Sequence, residues 1–237
     1  MSLLEGVSEE ELRELRRLVV RCVVTFFVCT AFFCAPMPLI GGNFVDAVYD
    51  WCVRFLGDAK IIALNPASPL IIFLELAVLL GGISSFPFCL WFVWGYVKPA
   101  LYPREVKIVK QMLMPLAVAF YFGSVYGLFI VAPVVLRGFA YVGPMMIGVE
   151  PVYGLNEVVG MVVGASLISA VVMLIPPILR TLIKLGIVEK KSVVKYRWWM
   201  YLAVFSIILL IDNEPFLFTE TLVTAPLIAI TELMLRV

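Results

Sequence analysis

The stretch Phe86–Glu105, FPFCLWFVWGYVKPALYPRE, decides how this chain is built. Its first part is apolar and aromatic, with Pro87 inside the run. Lys98 and Pro99 end the run, and Arg104 and Glu105 open the next segment. That segment returns to apolar residues through Lys107 and Lys110. An apolar helix stopped by a Lys-Pro pair and followed by a charged turn is a helical hairpin. Its charged, proline-rich tip belongs at a membrane surface.

The rest of the chain agrees with a lipid solvent. Of its 237 residues, 63% are hydrophobic and 15% are charged, and the mean hydropathy is +1.06. A soluble domain cannot hide that much apolar surface, whereas a bilayer solvates it. The runs are continuous rather than alternating, which excludes a membrane barrel. The expected class is an all-α membrane protein. Histidine is absent, and Cys22, Cys29, Cys34, Cys52 and Cys89 show no CxxC spacing. Neither a metal site nor a cofactor is expected, and neither is a nucleic-acid partner.

Working outward from the hairpin, six spans are predicted in a single membrane domain covering 1–237. Ser8, followed by Glu9, Glu10 and Glu11, starts a helix whose early acids suit its positive dipole end. This helix enters the first span, 18–35, and Pro36 and Pro38 end it. Phe44, Val45, Val48, Trp51, Cys52 and Phe55 then fall at helical spacing, predicting an amphipathic cap on the outer surface within 41–69. The second and third spans are 69–96 and 112–136, followed by a loop from Arg137 to Tyr153. The fourth, 155–183, is broken at Pro176-Pro177. The last two are 198–211 and 216–235. The fifth reaches only about 21 Å at the helical rise, against a hydrocarbon core of about 30 Å, so it is expected to stop short or thin the bilayer. Pro87, Pro133 and Pro176 are read as kinks that curve the helices into a cup.

Fifteen of the 18 basic residues fall in one set of connecting segments, and only Arg54, Lys60 and Arg137 fall in the other. The positive-inside rule places both termini in the cytoplasm and the chain in the cytoplasmic membrane. Four carboxylates lie within the spans; Glu75 sits near an outer end, where water reaches it, and the other three are Glu157, Glu220 and Glu232. Charge at lipid depth is costly and usually marks function, so these three are candidate intramembrane or partner contacts. Glu232 also sits one turn from the inner end, where snorkelling would satisfy it. On their own, Glu14 reads most simply as a helix-start acid on a solvated face and Glu105 as a loop acid among lysines. Arg16 and Arg17 need no role beyond anchoring.

Two further classes compete. A small-solute secondary transporter or channel usually shows paired repeats with broken helices, and 1–118 and 119–237 show no convincing repeat. An intramembrane enzyme would want histidine, paired membrane aspartates or a metal set, and none is found. There is no nucleotide-binding loop. The chain is expected not to be an enzyme.

The residues also carry a family resemblance. ELRELRRL, 11–18, is similar to the HLxELRxR opening of the TatC family, with Glu11 at the histidine. The run 87–105 resembles that family's P-x-x-L-Y-Q-x-W-x-F-x-x-P-x-L-Y-x-x-E segment and keeps Pro87, Trp94, Pro99, Leu101, Tyr102 and Glu105. Residues 184–188 and 195–197 resemble its inner loop, and Ala225-Pro226 with Glu232 its ending. The resemblance implies the polytopic subunit of the twin-arginine translocase, which exports folded proteins using the proton-motive force. It implies twin-arginine signal peptides as ligands, TatA/TatB-type single-span subunits as partners, and several copies of the chain in one complex. It maps the arginine-recognising glutamates onto Glu14 and Glu105. Arg16 and Arg17 would orient them, and Tyr96 would belong to an apolar groove. Two positions depart from the family: Leu174 stands where many members carry a polar residue, and Phe216 where many carry Asp. Glu157 is the expected replacement for the group missing at Leu174.

Overall fold

The computed structural model describes residues 9–35, 50, 60–63, 65–147, 152–211 and 218–236, and nearly all of them are helical. Helix α1 is Glu9–Cys34, a run free of glycine and proline. The Thr25 and Thr30 hydroxyls donate back to the Arg21 and Phe26 carbonyls at 2.8 and 2.9 Å, so both are satisfied within the helix. A short strand β1, Lys60–Ile62, precedes helix α2, Ser68–Val97. A 3-10 turn, Lys98–Ala100, leads to α3, Pro103–Tyr126. The π turn Gly127–Val131 joins α3 to α4, Ala132–Ile147. Strand β2, Val152–Gly154, leads into α5, Leu155–Val172. Helices α6, Ile175–Lys184, α7, Lys190–Ile211, and α8, Phe218–Arg236, complete the bundle.

Among the described residues, five helical segments are long and apolar enough to cross a membrane: 12–34, 68–100, 103–139, 155–184 and 190–210. Helix α8, of 19 residues, is the sixth helix of the bundle and carries Glu220 and Glu232. The breaks follow backbone chemistry. Pro176 and Pro177 have no N–H for the carbonyls one turn earlier, and the chain bends at Met173–Leu174, between α5 and α6. Gly186, at φ 75°, closes α6: its N–H donates to the Ile183 carbonyl and that of Ile187 to the Leu182 carbonyl, both at 3.1 Å. This is the glycine-dependent helix stop. Pro133 lies just beyond the π turn, whose wider ladder, with the Ala132 N–H bonding the Gly127 carbonyl, takes up the register change. Helix α2 continues through Pro87.

Several expectations change. Part of the segment 137–153, expected as a loop, is helical, because α4 runs on to Ile147 with Phe139 packed on the central core. The fifth helix is 22 residues rather than the 14 of its apolar stretch, since helix begins at Lys190. Residues 60–62, placed within the amphipathic cap, form a strand that pairs in parallel with 152–154: Lys60 faces Val152, Ile61 Tyr153 and Ile62 Gly154. The rest of the cap, Phe44 to Phe55, lies outside the described residues except for Asp50.

The centre of the bundle is α5. Half of the α5–α6 span is buried, against none of α1. One core unites Val131, Val135 and Leu136 with Val158, Val162 and Ala165 of α5, Ile208 of α7, and Val223 and Leu227 of α8. A second joins Ile72, Leu76 and Ala77 of α2 to Val159. Helices α3 and α5 approach through small residues. A Cβ on Gly123 would lie 2.5 Å from the Ser169 carbonyl oxygen, and one on Gly127 2.5 Å from that of Ala165. Ser166 Oγ donates to the Ser124 carbonyl at 3.1 Å. This Gly-x-x-x-Gly contact lets backbones touch where lipid offers no hydrophobic drive to association.

Candidate functional site

The resemblance nominated two acids, and the α1–α2 pair sets their level. These helices run antiparallel. Cys34 packs on the Ile72–Ala77 cluster, Thr30 abuts Gly81, Phe26 lies beside Gly82, and the Cys22 and Cys89 thiols meet. Continuing α1 about two turns back from Cys22 brings Glu14 level with the end of α2 and the 3-10 turn. Glu105 stands in the first turn of α3, just beyond that turn. Both acids therefore sit at the same end of the bundle.

Their settings differ. Glu14 is exposed on α1. Glu105 is half-buried, and its Oε2 accepts the Tyr102 N–H at 3.1 Å while its own N–H donates to the Tyr102 carbonyl at 2.9 Å. The carboxylate thus caps α3 with one oxygen, and no described residue bonds the other. Arg13, Arg16, Arg17, Val20 and Arg21, all on α1, line an open surface depression of about 370 Å³. Tyr96 is half-buried in the last turn of α2, next to buried Trp94; Phe88, Trp91 and Tyr102 are exposed.

The intramembrane acids fall into three situations. Glu157 folds over Gly154 at the start of α5, so close that a Cβ there would lie 3.1 Å from its Cδ. A carboxylate in a first helical turn is favoured by the dipole. It is 17 residues from Leu174 along α5, about 25 Å of rise, so it does not stand in for a group missing there. Glu232 is held by Arg197 at 2.8 Å, and Tyr201, bonded to Thr231 at 2.7 Å, lies 3.5 Å from its other oxygen. This staple joins α7 to α8. Glu220, in the first turn of α8, is fully buried, and neither carboxylate oxygen has a hydrogen-bond partner among the described residues. Buried polar groups are nearly always paired, so this carboxylate is exceptional. Among the described residues no cluster of side chains could hold a metal ion.

A family-wide sequence profile, "Sec-independent protein translocase protein (TatC)", matches residues 10–226. The chain belongs to the TatC family. It is 27% identical to the translocase protein TatCy of Bacillus subtilis, covering 100% of this chain and 88% of that protein. It is 23% identical to TatC of Aquifex aeolicus, over 94% of this chain and 91% of that one. Against Escherichia coli K12 TatC it is 24% identical, over 93% and 83%. Two crystal structures of the twin-arginine translocase receptor TatC share the fold. One superposes with a TM-score of 0.74 over 95% of this chain and 96% of that one. The other, solved in DDM, gives 0.77 over 95% and 98%; identity is 21% to both. This TatC-family chain is therefore a membrane component of a protein translocase.

Three features of this TatC-family member were not read from its sequence. The Gly123/Gly127 spacing is visible there, as a small-x-x-x-small signal. The Arg197–Glu232 pair joins residues 35 positions apart, and no local pattern announces it. The β1–β2 pair consists of two three-residue strands with no alternation to mark them.

Proposed function

We propose that this chain is the signal-receiving core of a twin-arginine translocase that exports folded proteins, powered by the proton-motive force. Glu14 and Glu105 pair with the two signal arginines, and Arg16 and Arg17 hold the acids in place. The observation that carries this reading is that both acids lie at one end of the α1–α2 hairpin, with carboxylate oxygens free for guanidinium groups. A guanidinium forks onto a carboxylate bidentately, which an ammonium cannot do. One exposed pair contributes at most about 1 kcal/mol. Two acids and the aromatic wall of Tyr96 and Trp91, against which the signal's apolar stretch lies, are needed together.

Single-span TatA/TatB-type subunits dock along α7 and α8, and the chain assembles in several copies. Supporting this, α7 has a largely uncovered face, with Leu202, Ile207 and Leu210 exposed, and Glu220 is a buried carboxylate that a partner's donor would satisfy. The translocase sits in the cytoplasmic membrane with both termini in the cytoplasm.

The test is binding of a labelled twin-arginine signal peptide, against its twin-lysine form, to the purified chain in detergent. Glu105→Gln is the informative variant, because glutamine still caps α3 but loses the charge. The arginine preference is expected to fall by up to about fivefold in Glu14→Gln and in Glu105→Gln, with unchanged helicity. Equal binding of both peptides by the unaltered chain refutes the assignment.

A further inference from the structure

Away from the two acids, α3, α6 and α8 enclose a groove of about 500 Å³. Its polarity is graded along one direction. At one end stand Arg180, Thr181 and Lys184 of α6, with Gln111 of α3 opposite; beyond them the walls are apolar as far as Phe122 and Met173. From Lys184 back to Met173 is about 16 Å of helical rise, about half the thickness of a hydrocarbon core of roughly 30 Å. The groove therefore spans one leaflet. Arg180 and Lys184, one turn apart, are exposed and have no ion-pair partner among the described residues.

We propose that this groove is a binding site for an anionic phospholipid from the leaflet at the lysine-rich end of the bundle. Arg180 and Lys184 hold the phosphate, the Gln111 amide donates to the glycerol ester carbonyls, and an acyl chain lies along the apolar wall. The charge at the rim and the apolar depth behind it match such an amphiphile. A zwitterionic lipid brings a quaternary ammonium alongside its phosphate, so it matches the two cations less well than an anionic headgroup does. Basic pockets between membrane helices suit anionic headgroups in this way.

The test is native mass spectrometry of the full-length protein in detergent, titrated with phosphatidylglycerol or phosphatidylcholine. Phosphatidylglycerol is expected to bind roughly 10–30-fold more tightly, from two basic contacts. Arg180→Gln with Lys184→Gln abolishes the difference, whereas Lys190→Gln with Lys191→Gln, outside the groove, does not. Ala119→Phe fills the apolar wall and weakens both lipids with unchanged charge, so the proposal stays testable if the double variant fails to fold. Soluble glycerol phosphate does not compete, because it lacks the chain. Equal affinity for the two lipids overturns the proposal. So does an equal loss in the Lys190/Lys191 variant, or displacement of the bound lipid by a twin-arginine peptide, which would assign the groove to the signal.

Discussion

The contact between α3 and α5 is the tightest test of how this bundle is held. In Gly123→Ala the new methyl meets the Ser169 carbonyl oxygen at 2.5 Å and Ala170 Cα at 2.8 Å; in Gly127→Ala it meets the Ala165 oxygen at 2.5 Å and Ser166 Cα at 2.6 Å. These neighbours are backbone atoms and cannot rotate away. Ordinary contact begins near 3.4 Å, so α5 must retreat by roughly 0.9 Å, and a gap of that size forfeits up to about half the dispersion of each contact it opens. Overpacking of this kind costs about 1–3 kcal/mol per site. The same protein carries its own control. Gly160 and Gly164 also lie on α5, and a Cβ at either meets nothing within 4 Å. Alanine there only removes glycine's helix penalty, a gain of about 0.5–1 kcal/mol. Thermal unfolding followed by circular dichroism in detergent should move down by about 3–10 °C for Gly123→Ala and Gly127→Ala, and unchanged or slightly up for Gly160→Ala and Gly164→Ala. If all four behave alike, the close approach of α3 and α5 is not what stabilises the bundle.

Two further outcomes follow from the carboxylates. A double-mutant cycle on Arg197→Gln and Glu232→Gln should give a coupling of about 1 kcal/mol, modest because both side chains are about a quarter to a third exposed; urea unfolding in detergent measures it, and zero coupling refutes the staple. Glu220→Leu should stabilise the isolated chain by about 1–3 kcal/mol, since it removes a buried carboxyl group with no partner among the described residues, while weakening co-purification of a TatA- or TatB-type subunit. A loss of stability in the isolated chain would show that Glu220 is satisfied within its own bundle.

Much of the site was legible because it is local. The ELRELRRL opening and the 87–105 run are contiguous, so the family resemblance they carry could nominate Glu14 and Glu105 before any packing was known. Burial was less legible. Glu157, Glu220 and Glu232 looked alike as acids within apolar runs, yet Glu157 lies over Gly154 in a first helical turn, Glu220 has no partner among the described residues and Glu232 is paired across helices. Those differences depend on which neighbours α5, α7 and α8 bring to each carboxylate. The double role of Glu105, as cap and candidate ligand, was hidden for a smaller reason: the sequence places it in a loop, and only the helix start at Pro103 turns it into a first-turn residue.

By itself the sequence determined the solvent, the helical class, the order of most helices and the family. Continuous apolar runs, proline breaks and short motifs act within a few residues of one another, so they survive without knowledge of packing. Only the tertiary structure decided that α5 is the centre, that Gly123 and Gly127 seat α3 on it, and that a graded groove opens between α3, α6 and α8. In lipid every outward face is comfortable, so hydrophobicity cannot rank the faces of a helix as it does in water. The choice falls to close backbone approach, the few polar pairs and the bend at Pro176-Pro177, all of which exist only once the helices meet.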